Sequence, residues 1–345
     1  MDIKNKKISK FDFAKALEEN DKNAIRLAPK AELHNHGAFG ARPEYLNKMG
    51  LPFPINLNQI TYNGFNPKAG TGFLDIFMKY LNAYTNDQKT LSVLLAGNFE
   101  NCRATGVTNV SPSILVNLCE RLFSKDIGKF IAFLKQYQYD DLKIDWALDI
   151  SRDYISKHEN KEVDAYRRII LDLMNTGFFK AIDLAGTENA LADAINNNSN
   201  IILKNIYKRA NELGIVTRIH AGEQMGKDGA QHIMQCIIDF EPKQIQHGID
   251  IVYDKKIMRI AQRKKIVFNV CPTSNVALGY AKSIREHPIR VMYDNGLSLT
   301  VSGEDMLFFK STTSEEYQKL YNAGALTAKQ LDEIRVNSLR IANYD

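Results

Sequence analysis

The stretch Lys30-Ala31-Glu32-Leu33-His34-Asn35-His36 decides how this chain is read. Alternate side chains of an extended strand project to the same side, so His34 and His36 can aim at one point. Two neutral imidazoles converging at the end of an apolar run are half of a zinc site. His-x-His alone is a weak signal. This chain, however, has only seven histidines, and two more stand in comparable settings, His220-Ala-Gly-Glu223 and Gln246-His247-Gly248. An acidic pair, Glu304-Asp305, follows another strand-like run. Together these point to a metal-dependent hydrolytic site. His158, His232 and His287 lack such settings and read as packed or surface histidines.

Outward from that stretch, short β-branched or apolar runs recur, each followed by a polar or glycine-containing turn and a helical pattern. The candidate strands are 31–36, 107–110, 144–150, 178–184, 216–220, 244–246, 266–270 and 297–301, with helix-length segments such as 87–104, 164–175, 201–213 and 254–263 between them. Eight alternating units suggest a (β/α)8 TIM barrel, whose active sites gather at the C-terminal strand ends. The polar residues fall there. His34 and His36 end the first strand, Gly186 follows the fourth, and His220 ends the fifth. His247 follows the sixth, Pro272–Asn275 the seventh, and Glu304-Asp305 the eighth. A doubly wound open sheet would string these residues along a line, whereas a barrel rings them around a mouth. The whole chain, 1–345, reads as one such domain, with residues 1–25 a helical lead-in. Residues 50–75, rich in Pro and Gly, read equally as a solvent loop or as a lid.

Composition narrows the partners. Hydrophobic residues make up 44% and charged residues 25%, ordinary for a globular protein. The net charge of +5 is interspersed, with no basic stripe interleaved with aromatics, which argues against nucleic acid. Cys102, Cys119, Cys236 and Cys271 are too scattered for a CxxC pair or a disulfide framework, so reduced thiols are expected. The charged N-terminus lacks a signal-peptide core and no run approaches the length of a membrane span, so a cytoplasmic protein is expected. The sequence leaves the oligomeric state open.

A hydrolytic zinc site needs neutral or anionic ligands, an open position for water and a proton shuttle. His34, His36 and His220 can supply three nitrogens, and an acid after the eighth strand the oxygen. Glu223, three residues beyond His220, suits a general acid/base. His247 can orient or deprotonate the water. The strings Lys30–His36, Asp183-Leu-Ala-Gly-Thr-Glu188, His220–Glu223, His247-Gly248, Cys271-Pro-Thr-Ser-Asn275 and Ser302-Gly-Glu-Asp305 occur in the order found in the adenosine deaminase family. The chain resembles that family over roughly residues 25 to 340.

The resemblance implies a hydrolase acting on C–N bonds of cyclic amidines, with one zinc ion per chain and a small-molecule purine substrate. It would replace the 6-amino group of adenosine or a close derivative by oxygen, releasing ammonia. By residue match, His34, His36, His220 and Glu304 would hold zinc, Glu223 would protonate purine N1, and His247 would position the attacking hydroxide. The Gly186 amide would meet N3, Asp305 would face N7, and His36 would also border the substrate. Two positions depart from the pattern. Glu304 stands where the family has aspartate, and its extra methylene displaces the carboxylate by roughly 1 Å or more. Ala38 stands where the family's aspartate contacts the ribose 5′ hydroxyl, and it leaves space for a larger 5′ substituent. Adenine, AMP, a 5′-modified adenosine, or a silent deaminase-like binding protein are the alternatives this opens.

Overall fold

The computed structural model describes residues 12–51, 73–188 and 198–343, and among these the alternating short apolar runs and helix-length segments fold into nine parallel strands ringed by helices. The strands are β1 (Lys30–His36), β2 (Val107–Leu115), β3 (Lys143–Ile144), β4 (Ala147–Ser151), β5 (Ala181–Ala185), β6 (Val216–Ala221), β7 (Gln244–His247), β8 (Val267–Val270) and β9 (Ser298–Val301). Eight form the ring in the order β1-β2-β4-β5-β6-β7-β8-β9, and β3 pairs only with β2. This is a nearly closed TIM barrel. Its strands, covered by helices outside and packed against one another within, are buried throughout in β7 and β8.

Two expected strands shift. The run 144–150 splits because the Asp145 N–H turns to the Val110 carbonyl, while the Trp146 carbonyl accepts from Lys180. Only Ala147–Ser151 therefore joins the ring. In the run 178–184, the ladder begins at Ala181 and extends to Ala185. β2 also outruns its expected end at Val110, through Ser111-Pro112-Ser113, which resembles a turn in sequence. Those serines are buried and bonded, Ser111 Oγ to the Asp145 carbonyl at 2.7 Å and Ser113 Oγ to Asp183 Oδ2 at 3.3 Å.

The helices follow from caps and apolar faces. Asp87 accepts from the Thr90 N–H at 2.8 Å and starts helix Gln88–Ala104. That helix buries Leu91, Leu94, Leu95, Phe99 and Cys102 on one face. Its Gly97 is needed for a close approach, since a Cβ there would lie 2.5 Å from Tyr45 Cδ1. Asn98, on the same helix, holds the turn after β1: its Nδ2 donates to Asn35 Oδ1 at 2.6 Å and to the Gly37 carbonyl at 3.1 Å. The C-terminal helix Ala328–Asn343 covers β1, packing Leu339 and Ala342 on Ala31 and Leu33.

β1 and β9 meet without a backbone ladder among the described residues. Side chains close the gap. Ser302 Oγ accepts from the N–H groups of Leu33 (3.3 Å) and His34 (3.2 Å), and Glu32 accepts from the Gly303 N–H at 2.8 Å. The lid segment proposed at 50–75 and the first part of the N-terminal lead-in lie largely outside the described residues; helices Phe13–Glu18 and Lys22–Leu27 form the rest of the lead-in. No helix among the described residues is long and apolar enough to cross a membrane.

Candidate active site at the mouth of the barrel

The singled-out residues gather at the C-terminal strand ends: His34 and His36 on β1, His220 on β6, His247 on β7, and Glu304 and Asp305 after β9. His247 (φ +58°) and Glu304 (φ +59°) occupy the left-handed region. For a non-glycine residue this strain costs on the order of 1–3 kcal/mol and concentrates at functional sites.

His34 and His220 face each other, Nε2 to Nε2, at 3.0 Å. Their other nitrogens are engaged, His34 Nδ1 with the Asn269 carbonyl at 3.3 Å and Cys271 Sγ at 3.1 Å, and His220 Nδ1 with Asp183 Oδ1 at 3.1 Å. The carbonyl and the carboxylate only accept, and the thiol sulfur can accept as well. Each Nδ1 therefore carries the proton, and each Nε2 presents a lone pair. Two lone pairs opposed at that distance repel, and a shared cation removes the conflict. Glu304 Oε1 lies 3.7 Å from His34 Nε2 and 3.4 Å from His247 Nε2, while its buried Oε2 has no hydrogen-bond partner. Donor atoms of His34, His220, His247 and Glu304 all lie within 4.8 Å of one another. Of these, the nitrogens of His34 and His220 and the carboxylate of Glu304 fit zinc. His36 stands to one side, its Nδ1 3.1 Å from both Asp305 oxygens and its ring stacked on His220 at 5.5 Å. It groups with Glu304 and Asp305.

The electrostatics separate the roles. Burial opposes ionisation of Asp183, yet His220 holds its carboxyl well below the usual range. Burial raises the Glu223 pKa to about 7, against the pull of His247 and with help from Glu304 and Glu188. Glu223 Oε1 is 3.4 Å from His247 Nε2, and its backbone is pinned by Glu188, which accepts from the Gly222 and Glu223 N–H groups. A carboxyl titrating near neutrality suits proton transfer. For His247, burial opposes charging, while Glu223 and Glu304 draw a proton toward Nε2, the nitrogen that faces both carboxylates. Gly186 follows β5 with φ +108°, where a Cβ would collide with the Asp153 carboxylate.

Beside His36 a cavity of about 20 Å³ is lined by Ala38, Phe39, Phe77, Leu118 and Asp149, among others. Ala38 is only 5% exposed, and the Phe39 ring next to it packs on Phe77 (4.7 Å) and Phe308 (5.0 Å). The room expected beside Ala38 is thus reduced, among the described residues, to about the space of one water. Asp149, in that wall, is buried with Oδ1 unpartnered. Sequence reading passed over it, although an acid inside the apolar run 144–150 was the available signal. It also gave no role to Asp183, Glu188 or Asn275, which lie within the motif strings, and it set His287 aside.

Fold and site define a metal-dependent hydrolytic barrel. Comparison with known proteins places it more closely. The family profile described as adenosine deaminase matches residues 154–345. A putative adenosine/adenine deaminase of Treponema pallidum (strain Nichols) is 31% identical, over 88% of this chain and 94% of its own. The adenine deaminase of Chlorobium phaeobacteroides (strain BS1) is 33% identical over 91% of each. Among solved structures, a zinc-bound amidohydrolase from Burkholderia ambifaria is similar in fold, with a TM-score of 0.70 at 18% identity, covering 92% of this chain and 86% of that one. The chain belongs to the adenosine deaminase family and is an enzyme acting on C–N bonds, which sets aside the silent binding protein.

Proposed function

We propose that the protein removes the 6-amino group of adenosine or adenine by zinc-dependent hydrolysis, releasing ammonia. The observation that carries this reading is the pair of lone pairs opposed at His34 and His220, with Glu304 and the near-neutral Glu223 beside them. His34, His220 and Glu304 would hold one zinc ion per chain, with His36 as the further nitrogen donor. When bound, zinc lowers the pKa of water towards about 7 and so supplies the nucleophile. Glu223 keeps its proton near neutral pH and gives it to N1, which makes C6 electrophilic. His247 orients the attacking oxygen, the Gly186 amide meets N3, and Asp305 faces N7. A C6–O bond forms, the two protons of the attacking water pass one to the departing nitrogen and one back to the Glu223 carboxylate, the C6–N bond breaks, and the nitrogen leaves as ammonia.

Asp149 favours a substrate without phosphate. Burial raises its pKa to about 7, and its open oxygen suits an N–H or O–H donor but repels a phosphate. No Lys or Arg lines that cavity among the described residues. Two relatives matched over most of their length carry the names adenosine/adenine and adenine deaminase, which agrees. Four buried, unpaired cysteines suit a reducing compartment, and we assign the enzyme to the cytoplasm. The test is ammonia release by the zinc-loaded protein from adenine, adenosine and AMP. Turnover of adenine or adenosine, with AMP at least about tenfold weaker, is expected from one missing favourable contact and one added repulsion. No ammonia from any 6-aminopurine at full zinc loading refutes the reading.

A further inference from the structure

Behind His247 runs a line of buried polar groups that the reaction as described does not use. It begins at the backbone of Ile289, whose N–H donates to His287 Nδ1 at 3.0 Å. His287 is 2% exposed, and burial lowers its pKa to about 3, so the ring is neutral. A neutral imidazole that accepts at Nδ1 carries its proton at Nε2. That nitrogen lies 3.2 Å from Asn275 Oδ1, which accepts. The Asn275 Nδ2 is then left to donate to His247 Nδ1 at 3.1 Å. A donor there requires a lone pair on Nδ1, and the His247 proton stands on Nε2, 3.4 Å from both Glu223 Oε1 and Glu304 Oε1.

We propose that His287, acting through Asn275, is a positioning residue that fixes His247 with its proton on Nε2, so that His247 donates a hydrogen bond to the attacking oxygen and is not the base that takes its proton. The catalytic half rests on the deamination reading, whereas the tautomer stands on the hydrogen bonds alone. The alternatives break the chain of donors. A proton on His247 Nδ1, in either the other neutral form or the imidazolium, would face the Asn275 amide. Turning that amide over would set its Nδ2 against the His287 Nε2–H. His287 cannot answer by changing tautomer, because the Ile289 N–H occupies the Nδ1 side. One backbone amide thus dictates where a proton sits in the mouth of the barrel.

The test uses zinc-loaded protein labelled with 15N-histidine. In the native enzyme His247 should show an unprotonated Nδ1 and a protonated Nε2. His287→Leu releases Asn275, so His247 should become a mixture of tautomers and kcat should fall about tenfold, the worth of one well-placed hydrogen bond. KM should stay within about threefold, and zinc should be retained, since neither residue is a ligand. His287→Gln, whose amide N–H can donate to Asn275 Oδ1, should recover most of the loss. Asn275→Asp, of the same shape, places an acceptor against Nδ1 and should move a proton onto it. A native spectrum with Nδ1 protonated overturns the proposal, as does His287→Leu with tautomer and kcat unchanged. If the tautomer shifts as stated but no purine is deaminated, the relay stands and the assigned reaction falls.

Discussion

The two ends of the barrel handle buried charge in opposite ways. At the N-terminal end, Lys30 opens β1 with its ammonium donating to the carbonyls of Ile25 (2.8 Å), Arg26 (3.3 Å) and Ala28, three acceptors for three donors. Arg335 is likewise held by the Pro29 carbonyl and Asp332. At the C-terminal mouth, Asp149 Oδ1, His247 Nε2 and Glu304 Oε2 are buried with no hydrogen-bond partner. Leaving such an atom unpaired costs roughly 1–3 kcal/mol. The end whose charges are satisfied holds the fold together, and the end whose groups stay open is the one shaped to receive something.

The sharpest way to break that contrast is at the mouth. Replacing His34 and His220 together by alanine should abolish stoichiometric zinc and reduce ammonia release to background, as read by metal analysis and a coupled assay. Zinc retained at one per chain would remove those residues from the ligand set. Glu223→Gln should keep zinc and fold while kcat falls about 10²–10⁴-fold, the usual contribution of a positioned proton donor. Near-native turnover would put the acid elsewhere. At the opposite end, Lys30→Met should leave KM untouched but lower unfolding stability by about 2–3 kcal/mol, because three buried carbonyls lose their donor. A denaturant titration reads this, and a change in KM without loss of stability would reverse the assignment of the two ends. The smallest effect sharpens the contrast by its sign. Asp149→Leu should raise KM for the neutral purine about tenfold while stability rises by up to about 1 kcal/mol, since an unpaired acid has been removed. A variant that is both less stable and unaltered in KM would make Asp149 structural.

Most of the fold was legible because a parallel barrel writes each strand as a short apolar run, and β1, β6, β7, β8 and β9 fall close to where those runs lie. β2 was legible only in part, because its far half is polar and carries a proline yet is held by bonds across the barrel interior. The site divides in the same manner. Ligand-type residues announce themselves in motifs at strand ends. What aims them does not: Asp183 acts on His220 from 37 residues away and His287 on Asn275 from 12, and a lone buried histidine looks the same in sequence whether it packs or relays. That His247 and Glu304 sit in left-handed backbone could not be read at all, since neither is glycine.

The junction of β1 and β9 has a last consequence. The ring is a bracelet rather than a hoop, and its buckle is Ser302 and Glu32 gripping opposite backbones. The same two margins carry His34 and Glu304. A cation gripped by both side chains would act as the pin of that buckle, tying the first strand of the chain to the last. Withdrawing the ion would then loosen the seam itself, and amide hydrogens along both margins would exchange in step while the opposite side of the ring stayed protected.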